Sequence, residues 1–327
     1  MDKLLTVVVP VYKVEKYIDK CLGSLVIPEK LMDLLEVIVV NDGTPDNSAI
    51  MAKEFEKKYP QTFTVIDKEN GGHGSAWNRG LKEATGKYIS FLDSDDWYDN
   101  SNFASLIEFL QNTDVDLVFT DINRCFVDGP TNRESFKITP YTVYDADTFD
   151  WFGLGQSTLD ANFWHSVYKT SMLQPEYPLF LEKQFYDDGI LLILPVAKAK
   201  NLIYFDKVIY NYLIGRVGQT TSHETVLKHF EDRKKLVYQL VAFQKSHSDV
   251  SELKRIKIDS VVSWRVQRNF ELFSWLPYSQ AKKEVKAWYS FMRKELPQIK
   301  LSNHVKLYRA LPFWAYWLFV QYEIRKN

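Results

Sequence analysis

Over about the first hundred residues, short β-rich runs alternate with helical stretches, and that rhythm admits little besides a largely parallel sheet built from βαβ units. The first run, Thr6-Val7-Val8-Val9-Pro10-Val11-Tyr12, is β-branched and apolar enough to be buried. Helical spacing follows over residues 14–26, before Pro28 closes the region. A second run at 36–40 ends in the turn Asn41-Asp42-Gly43-Thr44-Pro45-Asp46. Then come a helical stretch at 47–59, a strand at 63–67, a loop at 69–74 and a helix at 75–84. A fourth run, Tyr88-Ile89-Ser90-Phe91-Leu92, passes directly into Asp93-Ser94-Asp95-Asp96. Three of these runs release polar residues at their carboxyl ends: Tyr12, Asp42, and the group at 93–96. Ligands of open parallel sheets bind beyond those ends, so all three clusters are expected on one rim.

Beyond this region the pattern is mixed. A strand is expected at 115–121, a loop-rich section at 129–144 and a helix across 189–200; from about residue 224 onward the chain reads as helical almost throughout. With 327 residues, 46% hydrophobic and 25% charged, the chain is an ordinary globular one with room for about two domains. Its formal net charge of -1 gives no global attraction to nucleic acid, and none is expected as a partner. The only cysteines, Cys21 and Cys125, are too few for a disulfide framework or thiolate metal site and read as small buried hydrophobes. The opening Met1-Asp2-Lys3-Leu4-Leu5 runs into a strand without a signal-peptide pattern, so cytoplasmic folding is expected.

The sharpest chemical clue is Asp93-Ser94-Asp95, with Asp96 adjoining. Two carboxylates about 5 Å apart repel by about 3 kcal/mol at an effective dielectric of 20, so a site that keeps them usually has a cation. All-oxygen ligands favour Mg²⁺ or Mn²⁺, which leave positions for substrate phosphates. The bland reading is a surface turn with capping aspartates.

The run from Tyr88 to Trp97 resembles the signature of family 2 glycosyltransferases of the GT-A fold, and three other segments agree in order and spacing. Pro10-Val11-Tyr12 is similar to their Pro-x-Tyr/Phe motif, Asn41-Asp42-Gly43-Thr44 to their Asp-Gly-Ser turn, and Asn70-Gly71-Gly72 through Asn78-Arg79-Gly80 to their glycine-rich loop. The resemblance implies a Rossmann-like, mostly parallel α/β sheet flanked by helices. Its domain would cover 1–222, with a nucleotide-binding half at 1–112 and an acceptor half at 113–222, followed by a helical region at 223–327.

The resemblance also assigns roles. Asp42 would accept a hydrogen bond from a uracil imide that Tyr12 flanks, implying a UDP-sugar donor. Gly71 and Gly72 would let backbone approach the ligand, with Asn78 and Arg79 shaping the pocket. Asp93 and Asp95, with Ser94 between them, would hold Mn²⁺ or Mg²⁺. In Tyr186-Asp187-Asp188-Gly189, where Glu-Asp is usual, Asp188 would be the general base and Asp187 its support, giving inversion. Arg216, in Arg216-Val217-Gly218-Gln219-Thr220, would neutralise the departing diphosphate. Trp77 replaces a frequent arginine and Lys13 a frequent asparagine. Trp97, Trp164 and His165 are candidates for the acceptor side, and His73 reads as a loop hydrogen-bonder.

Toward its end the chain gathers Lys282, Lys283, Lys286, Arg293, Lys294, Lys300, Lys306 and Arg309 ahead of the apolar stretch 310–320. Eleven residues are too few to cross a bilayer. They suit either the inner face of a bacterial membrane, with Trp314, Tyr316 and Trp317 at headgroup depth, or packing on the domain itself or a second subunit. The leading expectation is an inverting transferase moving a hexose or N-acetylhexosamine to a glycan or lipid-linked acceptor in surface polysaccharide synthesis. A sugar nucleotidyltransferase and a non-catalytic nucleotide or glycan binder are the alternatives.

Overall fold

The computed structural model describes residues 2–153, 163–216 and 227–326. The chain divides into two compact units, Met1–Val217 with Asp249–Lys257, and Gly218–Ser248 with Ile258–Asn327.

The first unit is built on a sheet whose ten strands, among the described residues, are β1 Leu5–Val11, β2 Leu35–Asn41, β3 Phe63–Asp67, β4 Tyr88–Phe91, β5 Trp97–Tyr98, β6 Leu117–Phe126, β7 Thr131–Glu134, β8 Tyr144–Asp145, β9 Ser166–Lys169 and β10 Asn201–Ile214. Their order is β3-β2-β1-β4-β9-β6-β10-β5, with β7 paired to β6 and β8 to β10. The β3-β2-β1-β4 half is parallel throughout, as the βαβ rhythm predicts. Every residue of β1 is buried, as a central strand covered on both faces requires. The helix His73–Glu83 lies so close to β1 that a Cβ on Gly80 would sit 2.2 Å from Val8 Cγ1, which explains the glycine. In register, Val11 pairs with Asn41 and Asn41 with Asp67. The residues that follow these strands therefore leave the sheet at one edge.

The other half follows different rules. β9 is wedged antiparallel between β4 and β6, and the long β10 runs parallel to β6 while pairing antiparallel with the two-residue β5. The loop-rich section expected at 129–144 contains β7 and meets β8. The helix expected across 189–200 is two short pieces, a 3₁₀ turn at Asp188–Leu192 and a helix at Leu194–Lys198. Pro195 opens the second piece because it has no N–H for the turn before it. Likewise only Ile18–Gly23 of the apolar stretch at 14–26 is helical.

The second unit is helical, with helices Phe230–Ser246, Tyr278–Glu295, Asn303–Ala310 and Phe313–Lys326 and residues 258–273 of helix Glu252–Phe273. Phe270, Phe273, Trp288 and Tyr316 fill its core, where the Trp288 indole N–H donates to the Val266 carbonyl at 2.8 Å. Tyr316 is thus a core residue, and Trp317 donates its indole N–H to the Leu276 carbonyl at 3.1 Å; of the three aromatics expected at headgroup depth, Trp314 is the exposed one. No helix of the described residues is long and apolar enough to cross a membrane.

Candidate active site

The turn after β2 puts Asp42 at the rim, where its side chain is buried. One carboxylate oxygen accepts from Lys68 Nζ at 2.6 Å and from the Gly71 N–H at 2.8 Å; the other accepts from the Gly72 N–H at 2.8 Å. Asn70 adds a bond from its side-chain amide to the Asp42 carbonyl at 2.8 Å. The amides of Gly71 and Gly72 are therefore engaged by the chain's own carboxylate. Gly72 adopts φ +86°, in the left-handed region that glycine enters without penalty. Beside Asp42, Tyr12 leaves the end of β1 with 44% of its surface exposed, an open aromatic face. Pro10 and Val11 are buried within β1, and the Val11 carbonyl accepts from the Asp42 N–H at 3.0 Å.

At the end of β4, carboxylate oxygens of Asp93, Asp95 and Asp96 lie within 4.8 Å of one another. They are not equivalent. Asp96 is fully engaged: it accepts from the Tyr210 hydroxyl at 2.7 Å and from the Leu213 N–H at 2.7 Å, both on β10. The same Tyr210 hydroxyl accepts from the Asp93 N–H at 3.2 Å, so a strand more than a hundred residues away fixes the turn. Burial, then the neighbouring Asp95 and Asp93 charges, push the Asp96 carboxyl well above its ordinary range. Asp95 is mostly covered and bonds Arg216 Nε; burial and Asp93 raise its affinity for a proton, partly offset by that guanidinium. Arg216 also lies 5.8 Å from the centre of the Tyr17 ring. Ser94 is buried between the two aspartates. The rest of the arginine segment, 217–220, lies outside the described residues.

Asp93 meets His73, the expected loop hydrogen-bonder, which bridges two acidic residues. His73, the first residue of helix His73–Glu83, has Nε2 at 3.0 Å from Asp93 Oδ1 and Nδ1 at 3.1 Å from Asp187 Oδ1. Burial disfavours a charge on this imidazole, but Asp187 and Asp93 outweigh it and hold its proton well above the usual histidine range. Asp187 is itself buried, while Asp188 is partly open and begins the 3₁₀ turn. The available signal was Gly71-Gly72-His73-Gly74: three glycines around one functional side chain indicate crowded backbone.

Two residues expected at the nucleotide pocket have other uses in the structure. The Asn78 amide donates to the Phe180 carbonyl at 2.8 Å and accepts from the Phe180 N–H at 2.9 Å, clamping the segment that leads to the acidic pair. Arg79 pairs with Glu83 at 3.0 Å, four residues along the exposed helix face. On the candidate acceptor side, Trp164 stacks on Tyr212 at 4.4 Å, and Lys20 lies over the Trp97 ring. His165 is buried, with Nδ1 3.0 Å from the Thr120 carbonyl, and so belongs to the core. Cys21 is buried as expected; Cys125 is only partly so.

This arrangement brings together oxygen ligands, a guanidinium and, through His73, the buried carboxylate of Asp187, which suits chemistry on a phosphorylated substrate. The model for "Glycosyl transferase family 2" matches residues 6–174. "Uncharacterized glycosyltransferase EpsJ" of Bacillus subtilis is 41% identical over 224 residues, covering 65% of this chain and 61% of EpsJ. "Minor teichoic acid biosynthesis protein GgaB" of the same organism is 35% identical over 132 residues, which is 40% of this chain and 15% of GgaB. The chain thus spans less than two thirds of either relative. Among solved structures, S. aureus TarS 1-349 in complex with UDP-GlcNAc aligns with TM-score 0.61 at 21% identity, covering 82% of this chain and 72% of that one.

Proposed function

Because the chain belongs to glycosyl transferase family 2 and has the GT-A fold, we propose that it is an inverting transferase that moves a hexose or N-acetylhexosamine from a UDP-sugar to a hydroxyl of a glycan or lipid-linked acceptor. The observation that supports this reading is the carboxylate cluster of Asp93 and Asp95, linked through His73 to Asp187, the neighbour of Asp188 in the chain. The UDP-GlcNAc complex of the similar TarS structure supports the choice of nucleotide, and the teichoic acid role named for GgaB supports a surface-polymer acceptor.

In this reading residues 1–112 hold the donor and 113–222 the acceptor. Tyr12 stacks on the uracil, while Asp42 shapes the pocket by ordering its loop and keeps acceptor capacity for the imide. Asp93 and Asp95 would hold Mn²⁺ or Mg²⁺, for which an all-oxygen set with neighbouring Asp96 already engaged is a chemical fit. When bound, such a cation supplies counter-charge to the diphosphate. Asp188 takes the proton of the acceptor hydroxyl as its oxygen bonds to the anomeric carbon and the bond to the UDP oxygen breaks, which inverts that centre. Arg216, paired with Asp95, meets the charge that develops on the leaving UDP.

The test is nucleotide release from a panel of UDP- and GDP-sugars with Mn²⁺, Mg²⁺ or EDTA, comparing wild type, Asp95→Ala and Asp188→Asn. Metal-dependent turnover of one UDP-sugar is expected, lost in both variants while Asp188→Asn still binds UDP. Pyrophosphate as product would instead indicate a nucleotidyltransferase, and UDP binding indifferent to EDTA without turnover a binding protein. We place the reaction at the inner face of the cell membrane. Leu311, Trp314, Leu318, Phe319 and Tyr322 are exposed close to Lys306 and Arg309, an apolar and basic surface suited to anionic lipid. Flotation with anionic vesicles should fall in Trp314→Ser/Leu318→Ser.

A further inference from the structure

His73 is built into the site more firmly than a loop hydrogen-bonder needs to be. Its ring packs at 4.2 Å on Trp77, which is fully buried against Phe91, Phe163 and Phe180. The backbone around it leaves no slack. A Cβ on Gly74 would fall 2.3 Å from the Leu181 carbonyl and 2.5 Å from Asp187 Oδ2. The Lys183 N–H donates to the Gly71 carbonyl at 2.7 Å. The glycine-rich loop thus lies directly against the segment that delivers Asp187 and Asp188, and the imidazole is a side-chain link between that segment and Asp93.

The segment on the far side of this link is held under tension. Lys183 and Tyr186 both have positive φ, 55° and 63°, unusual for side chains of their size. Between them Gln184 is buried, yet its amide nitrogen has no hydrogen-bond partner among the described residues. A buried donor without a partner marks a segment whose hydrogen bonding is completed by some other arrangement.

We infer that His73 is a positioning residue that couples the donor side to the acceptor side: a ligand engaging Asp93 draws its carboxylate away from Nε2, and His73 then holds Asp187 alone and tightens the segment from Phe180 to Gly189. This rests on the reading that a UDP-sugar with its cation binds at Asp93, and deepens it. It follows from one side chain serving two carboxylates: what happens at one oxygen alters the hold on the other.

The test needs neither the sugar nor the acceptor. UDP with Mn²⁺ is titrated into the full chain by calorimetry, and backbone hydrogen exchange is followed across 180–189 with and without it. In the wild type, exchange there is expected to slow about tenfold on binding. His73→Ala should bind UDP with Mn²⁺ within about threefold of wild type, yet show no ligand-induced slowing in that segment. A merely structural histidine would give the opposite: faster exchange throughout, with the slowing on binding retained. That outcome overturns the inference, as does wild-type binding without slowing, or a His73→Ala chain that no longer binds UDP. Should His73→Ala lose its fold by circular dichroism, Asp187→Ala cuts the same link from the other end and must show the same loss of response. Absence of any UDP binding to the wild type is a separate result, which removes the donor reading and this inference with it.

Discussion

Asp42 and the Asp93–Asp95 pair stand on the same rim, are the same residue type, and have opposite relations to their surroundings. Asp42 is satisfied by one lysine and by two backbone amides, which cannot leave without undoing the loop. Asp93 and Asp95 are satisfied by His73 and Arg216, side chains whose positive charge a divalent cation can replace. The first is an acid that orders a loop, and in the proposed function the second pair are the acids that would take the ligand. The difference teaches that a carboxylate at a strand end is defined less by its position than by whether its partners are backbone or side chain.

The comparison breaks most visibly at Asp95. Asp95→Ala should leave the fold intact, because its partner Arg216 is partly exposed and can turn to solvent. Turnover should nevertheless fall by about 10³-fold, or about 4 kcal/mol of transition-state stabilisation, and UDP affinity should cease to depend on Mn²⁺. Steady-state nucleotide release and calorimetry check this; a variant that still responds to the metal would move the cation site elsewhere.

Asp42 should fail in the other way. Asp42→Asn keeps the shape but replaces one acceptor oxygen with an amide NH₂ that faces existing donors, leaving at least one buried N–H unpaired. A loss of about 2 to 3 kcal/mol of folding stability is expected in urea unfolding. UDP binding should drop only as far as the loop loosens. Were stability unchanged while UDP binding vanished, Asp42 would be a ligand group first and a loop anchor second.

How much of this was legible in the sequence follows the same division. The parallel half of the sheet was readable because β-branched runs and turn residues are local signals, and the rim followed from strand direction alone. The antiparallel insertion of β9 and the run of β10 were not readable, since Tyr88 meeting Lys169, or Asp96 meeting Tyr210, is a pairing over 80 residues or more with no local signature. Site chemistry divides likewise. That Asp93 and Asp95 would stand together at a strand end could be read from their spacing; that His73 would link Asp93 to Asp187 depended on how closely Gly74 lets two segments approach.

Gly74→Ala tests that closeness. The added methyl must displace the Leu181 carbonyl or Asp187, so the acidic pair shifts while the Asp42 loop does not. Turnover should fall about tenfold through misplacement of Asp188, with UDP affinity unchanged. Equal losses in turnover and UDP affinity would show that the loop moves as one piece, and the distinction between its two ends would disappear.

The smallest effect is expected at Arg79, and its smallness is what makes it informative. The motif likeness places this arginine at the nucleotide, as it does Asn78, but the structure separates the two. Asn78 is buried and closes two hydrogen bonds to Phe180, whereas Arg79 makes an exposed pair with Glu83. Exposed i,i+4 pairs contribute about 0.3–0.5 kcal/mol, so Arg79→Ala should shift stability by no more than that and leave UDP affinity within error. Asn78→Ala, one position earlier, should destabilise by about 1 to 3 kcal/mol because it strands buried backbone groups at Phe180. A large loss of UDP affinity in Arg79→Ala would mean that this guanidinium leaves Glu83 when the donor binds, and that the helix face opposite the sheet is part of the pocket.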